Sequence, residues 1–347
     1  MKVENITPLI VANYKNVSRR TRAILILGPS GVGKSESIHG AVKEIGEYLN
    51  DPDFGFIAKY LGTEDLVTLG GVPSVKNNET TRNIPDWFPK PNTNGILLLD
   101  EITSAPNANQ VVAYQIALDR NLCGHQLPSG WMVVAAGNRA SDRGVHFPLA
   151  GPLIARMTVI HVQSSIDGFL EYAIKKNVRQ EVVAFIASRA DMLNERDENI
   201  NPDYDKIPQN EPFANQRSWV AAAQHYLDER PDIRLELLQG SVGKRAAIDF
   251  ETFLRVYESM PSIDLIQKEP LGVPVPPDTS TRWALAVGIA GRIDKANFSS
   301  FIQYLERMPK EFATLAVMMA HRRDTSFTAT EAFAKFVSDN SVLFSGR

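Results

Sequence analysis

Cysteine is nearly absent: one residue, Cys123, stands in a chain of 347. A lone cysteine excludes an intrachain disulfide framework and fits a reducing compartment. No uninterrupted apolar run reaches 18 residues, so no membrane-spanning helix and no membrane partner are expected. The first residues carry no cationic stretch leading into a sustained apolar segment, so no secretory leader is expected and the setting reads as cytoplasmic. An excess of one charge is also missing. The 37 Lys plus Arg against 40 Asp plus Glu give a formal net charge of −3. That balance excludes a strongly basic coat for nucleic acid, though not a local basic groove. The six histidines form no His-x-x-x-His pair, and Cys123 has no cysteine partner, so a zinc site has no support.

What is present alternates. Over residues 1–165, short β-rich apolar runs interleave with helical patterns, the signature of an α/β domain. Strands are expected at 23–27, 56–60, 96–99, 132–136 and 158–162, with helices at 35–49 and 107–120. Several of these strands are near-continuous apolar runs, as in a parallel sheet with helices on both faces. Residues 61–94 are too long for a plain connection and carry Gly70, Gly71, Pro73, Pro85, Pro89 and Pro91, so a functional loop is expected there. Beyond about Asp167 helical patterns take over. The acidic, polar stretch 194–212, with Pro202 and Pro208, reads as a surface loop. Four prolines within 270–277 interrupt the helical pattern before a last helical block at 278–341.

Three motifs carry chemistry. Gly28-Pro-Ser-Gly-Val-Gly33-Lys34-Ser35 follows an apolar strand and opens a helix, as the G-x-x-x-x-G-K-[ST] phosphate loop requires. In such a loop Gly28, Pro29, Ser30, Gly31, Val32 and Gly33 fold tightly, so that backbone N–H groups point at a β-phosphate. Lys34 would bridge the β- and γ-phosphates, and the Ser35 hydroxyl would bind Mg²⁺. A second apolar strand ends in Asp100 and Glu101. Asp100 is suited to hold Mg²⁺ through its water shell, and Glu101 to polarise the water that attacks the γ-phosphate. A third strand leads into Gly137 and Asn138, whose amide can bond that water or the γ-phosphate. Together these describe an NTPase that works with Mg²⁺. Gly240–Lys244 imitates a phosphate loop, but Arg245 stands where Ser or Thr is needed.

These residues resemble the AAA+ ATPases, and within them the MoxR-like branch. The resemblance rests on 28–35, 97–102, 127–138 and 152–157, with 61–94 similar to the helix-2 insertion of that branch. It implies an αβα sandwich with a five-stranded parallel sheet, then a helical lid and a helical C-terminal extension. The domains are then 1–165, 166–239 and 240–347. It also implies a homo-oligomeric ring, taken as hexameric, with ATP sites at subunit boundaries. A protein client is remodelled, with von Willebrand A-domain proteins among such clients. Arg156 matches the arginine finger that reaches a neighbour's γ-phosphate, although its flanks, Ala155 and Met157, depart from the family pattern. Arg139 and Arg143 are its rivals, and Arg217 resembles the lid's sensor arginine. The reading is a MoxR-like ATPase that remodels a protein partner. One rival is a clamp-loader or helicase-like ATPase acting on nucleic acid; another is an ATP-stabilised scaffold with little turnover. Glu101 argues against the scaffold, which needs no positioned base.

Overall fold

The computed structural model describes residues 1–340 except 77, 141, 143–146, 209 and 259. The chain divides into two compact units, Met1–Ser165 and Ile166–Arg347.

The first unit is built on five parallel strands: β1 (Ile24–Leu27), β2 (Gly55–Tyr60), β3 (Gly95–Asp100), β4 (Trp131–Gly137) and β5 (Thr158–His161). Their order across the sheet is β2-β3-β4-β1-β5. Every residue of β3 and β4 is buried, which explains why both read as unbroken apolar runs. Successive side chains serve opposite faces. Leu25, Leu97, Leu99, Val133 and Ala135 belong to one core; Ile24, Ile26, Ile96, Leu98, Met132 and Val134 belong to the other. Helix α1 (Ile6–Lys15) adds Ile6, Ile10 and Tyr14 to the second core, and α2 (Lys34–Leu49) adds Ile38, Ala41 and Ile45. The first core is closed by α3 (Asn107–Asp119) through Val112, Ala113, Ile116 and Ala117. These spacings of three and four put each set on one helical stripe. The expected αβα sandwich with a five-stranded parallel sheet is the observed fold.

One side chain accounts for two glycines. The Trp131 indole lies across the starts of β2 and β3 and donates to Thr93 Oγ1 at 2.9 Å. A Cβ at Gly55 or at Gly95 would lie 2.7 Å from its ring.

Residues 61–94 form a short helix, Leu66–Gly70, and an antiparallel hairpin of Pro73–Lys76 with Glu79–Arg82. The sequence leads one to expect a functional loop here. Its ends are anchored, however: Leu61, Leu69 and Phe88 are buried in the first core, and the Cys123 thiol donates to Gly70 O at 2.9 Å. The outer part stays open, with Val72 and Val75 exposed by 55% and 73%. His161 is exposed on the edge strand.

The second unit is helical. A short helix α4 (Gly151–Arg156) ends the first unit's helices. Then follow α5 (Ile166–Lys175), α6 (Gln180–Ser188), α7 (Gln216–His225), α8 (Pro231–Val242), α9 (Lys244–Glu258) and α10 (Thr279–Ala290). Later helices include Phe298–Leu305 and Lys310–Arg323. Phe185, Trp219 and Phe250 meet at its centre with ring centroids 5.0–5.3 Å apart. One apolar core runs from Phe169 to Phe336, and the expected division at 239/240 falls inside α8. Within that core Arg234 and Glu251 form a two-pronged ion pair, at 2.7 and 2.9 Å.

The first part of the stretch 194–212 corrects the sequence reading, whereas most of the described residues from 202 to 212 are exposed as expected. Asn194, Glu195, Asp197 and Asn201 are at most 2% exposed. Polar residues can be buried here because they bond one another's backbone: Asn201 Nδ2 donates to Glu195 O at 2.9 Å, and Ala214 N donates to Glu195 Oε2 at 3.0 Å. Glu195 Oε1 finds no hydrogen-bond partner among the described residues. Burial pushes this carboxyl above its ordinary value, against the opposing pull of the Ala214 N–H and Arg245.

Two stability predictions follow from these contacts. Gly95→Ala places a methyl 2.5 Å from the Gly55 carbonyl oxygen as well as against Trp131. It should destabilise by about 1–3 kcal/mol, read as a lowered melting temperature. Glu195→Gln tests the buried carboxyl. A raised folded-state value means the folded chain keeps this proton longer than the unfolded one, so its ionisation at neutral pH opposes folding. The variant should melt higher than wild type at pH 7, and the gain should shrink as pH falls into the ordinary carboxylate range. A pH-independent difference in melting would contradict the assignment.

Candidate active site

β1 ends at Leu27 and α2 begins at Lys34, so 28–33 must reverse direction within a few residues. Gly33 makes the turn with φ +98°, a region that side chains disfavour. Gly28 has a different reason: a Cβ there would lie 2.9 Å from Val162 O. The loop hands over directly to the first turn of α2, where unpaired backbone N–H groups gather.

Lys34 is only 8% exposed. Its ammonium donates to Gly28 O at 2.8 Å, to Pro29 O at 2.9 Å and to Asn138 Oδ1 at 3.2 Å. The Ser35 hydroxyl donates to Asp100 Oδ2 at 2.8 Å, and Glu101 N donates to Asp100 Oδ1 at the same distance. Residues far apart in the chain thus converge because β1, β4 and β3 are neighbours in the sheet and present their carboxyl ends side by side. Glu101 follows at φ +56°, with its side chain exposed.

Thr103 belongs to this constellation and was not foreseen. It is 1% exposed, and its Oγ1 accepts from Asn138 N at 2.9 Å, fixing the backbone that carries the amide. A buried threonine two residues past a carboxylate pair has no distinctive sequence signal.

The arginines are distributed differently. Arg156 sits exposed at the end of α4, with no hydrogen bond or ion pair among the described residues. Arg139 is clamped by Asp142, with Nη2 to Oδ1 at 2.7 Å and its backbone N donating to Oδ2 at 2.7 Å. Arg143 lies outside the described residues. Arg217 belongs to the second unit, exposed in the first turn of α7 behind a capping box of Asn215 and Ser218.

The donor set suits a hard cation held partly by a ligand. One hydroxyl and one carboxylate stand together, the oxygen chemistry Mg²⁺ prefers. Among the described residues no group of three or more His, Cys, Asp or Glu forms a cage of its own.

No family model matches the chain, and no curated protein matches it. Solved structures do. A mutant of RuvB from Thermotoga maritima shares 15% identity over 88% of each chain, with a TM-score of 0.40. NtrX from Brucella abortus in complex with ATP shares 14% identity, covering 97% of this chain and 68% of that one, with a TM-score of 0.34. PCH-2 of C. elegans shares 15% identity, covering 82% and 66%, with a TM-score of 0.33. Likeness this distant carries no functional argument; the chemistry belongs to the site's own residues.

Proposed function

We infer that the first unit binds ATP with Mg²⁺ and hydrolyses it, as an AAA+ ATPase of the MoxR-like kind. The observation that carries this is the convergence of Lys34, Ser35, Asp100 and Asn138 at hydrogen-bond distance, from three separate strand ends. A phosphate loop, a carboxylate and a reporting amide are the parts that phosphoryl transfer to water needs.

Each residue has a role. Backbone N–H groups of 28–35 hold the β-phosphate, and Lys34 neutralises charge on the β- and γ-phosphates. Ser35 and Asp100 hold Mg²⁺, which when bound offsets phosphate charge. Glu101 takes a proton from the attacking water as the water oxygen bonds to the γ-phosphorus. The bond from that phosphorus to the bridging oxygen breaks, ADP keeps the electron pair, and inorganic phosphate leaves. Asn138, steadied by Thr103, orients the water or the γ-phosphate. Arg156 acts across a subunit boundary in a homo-oligomeric ring, where a second cation stabilises the departing charge. Its exposure supports that role, whereas the Asp142 clamp weighs against Arg139. Arg217 is assigned the sensor role in a lid formed by the helical second unit. The work done is remodelling of a protein client. The open apolar side chains of the insertion support that choice over nucleic acid: Val72, Val75 and Ile84 are exposed by 55%, 73% and 42%.

Separation of binding from turnover tests the site. Lys34→Ala should lose both, and Glu101→Gln should keep nucleotide affinity while losing phosphate release; wild-type turnover by Glu101→Gln would remove the base. Arg156→Ala should bind ATP yet hydrolyse slower by about 10³-fold or more. Mixing it with Lys34→Ala should restore some turnover, because each supplies what the other lacks. Activity independent of protein concentration in a confirmed monomer would refute the shared site. For the client, removing 75–82 should spare melting temperature and basal hydrolysis while abolishing client-dependent effects.

A further inference from the structure

Gly62 has no backbone reason to be glycine. Its φ lies outside the left-handed region, unlike Gly31, Gly33, Gly71, Gly124 and Gly243. Space supplies the reason. A Cβ at Gly62 would lie 2.9 Å from Glu101 Oε2, while the next atoms, Ser104 Cβ and Glu101 Cβ, stand at ordinary contact, 3.6 and 3.7 Å. Only the carboxylate is in the way.

Glu101 is brought there by an irregularity of β3. Leu99 pairs with Ala135 of β4, so an unbroken register would set residue 101 opposite Gly137. Instead Ile102 N donates to Ala136 O at 3.0 Å, which puts Ile102 in that place, one residue late. The extra residue is a bulge, and Glu101 is where it turns out, at φ +56°. Asp100 Oδ1 accepts from the Glu101 N–H at 2.8 Å and Ser104 N donates to Glu101 O at 2.9 Å, so the turned-out backbone is held on both sides. On the other flank Leu61 N donates to Asp100 O at 2.9 Å, which carries the β2 ladder up to Gly62. The backbone aims the side chain, and the bare α-carbon of Gly62 is the surface it rests against.

We propose that Gly62 is a positioning residue for Glu101: it leaves the space in which the carboxylate sits, and any side chain there displaces the carboxylate from the water it deprotonates. The proposal rests on the reading of Glu101 as the base. The clash of an alanine falls on the far end of a flexible side chain, so the change moves the carboxylate and leaves the fold alone.

The test is a double-mutant cycle on the full chain with ATP and Mg²⁺. Wild type, Gly62→Ala, Glu101→Gln and the double variant are compared for kcat, KM, nucleotide affinity and melting temperature. Gly62→Ala should lower kcat by about 10- to 10²-fold, the scale of an ångström of misplacement. Its KM, nucleotide affinity and melting temperature should stay at wild-type values. In the Glu101→Gln background the alanine should change residual turnover no further, since the group it displaces is already inactive. Gly62→Ser should repeat the alanine's effect. Wild-type kcat in Gly62→Ala, with Glu101→Gln inactive, would overturn the positioning role and leave the base intact. Wild-type kcat in Glu101→Gln would overturn the base and the proposal with it. A lowered melting temperature, failure to fold, or an equal loss in both backgrounds would show that the space serves packing, and would overturn the proposal too.

Discussion

Burial of β3 and β4 on both faces is the constraint from which the rest of the first unit follows. A strand covered above and below has no room for a polar side chain along its length, because each would lose water without gaining a partner. Polar chemistry is therefore pushed to the carboxyl ends, where the chain emerges, and Asp100 and Asn138 stand at those ends. The order β2-β3-β4-β1-β5 does the remaining work by placing the loop after β1 next to the end of β4 and one strand from the end of β3. Lys34 reaches Asn138 at the end of the adjacent strand, and Ser35 reaches Asp100 one strand farther, past the end of β4.

Much of this was legible before any coordinates. The apolar runs at 23–27, 56–60, 96–99, 132–136 and 158–162 coincide with β1 to β5 within a residue or two, most cleanly for β3 and β4, where a doubly covered strand must be apolar throughout. The turn at 28–33 was legible too, because its glycines stand between an apolar strand and a helical pattern. Strand order was not legible; it is a property of pairing between distant segments. Thr103 escaped notice for a related reason: its hydroxyl matters only once β4 brings Asn138 N to 2.9 Å from it. Gly62 escaped too, hidden among glycines that serve turns.

The first part of the stretch 194–212 misled in an instructive way. Composition made it a surface loop, yet Asn194 and Asp197 have no exposed surface. Asparagine and aspartate favour loops because they bond nearby backbone, and that same habit lets them fold inward when enough such bonds close. Trp219 joins the arrangement from α7, donating its indole N–H to Met192 O at 2.7 Å. Polarity reports where water can be tolerated, not where it is.

The lysine of the phosphate loop holds a further consequence. An ammonium has three protons to give, and in Lys34 they meet two carbonyl oxygens of its own loop and the amide oxygen of Asn138. In the proposed function, a phosphate arriving there would not fill a need; it would exchange one set of acceptors for another. The net number of hydrogen bonds then changes little, and the enthalpy of encounter reflects the difference between charged and neutral acceptors. The exchange also releases Asn138. In the proposed function, an amide freed as the lysine changes acceptors would link occupancy of the loop to the end of the neighbouring strand.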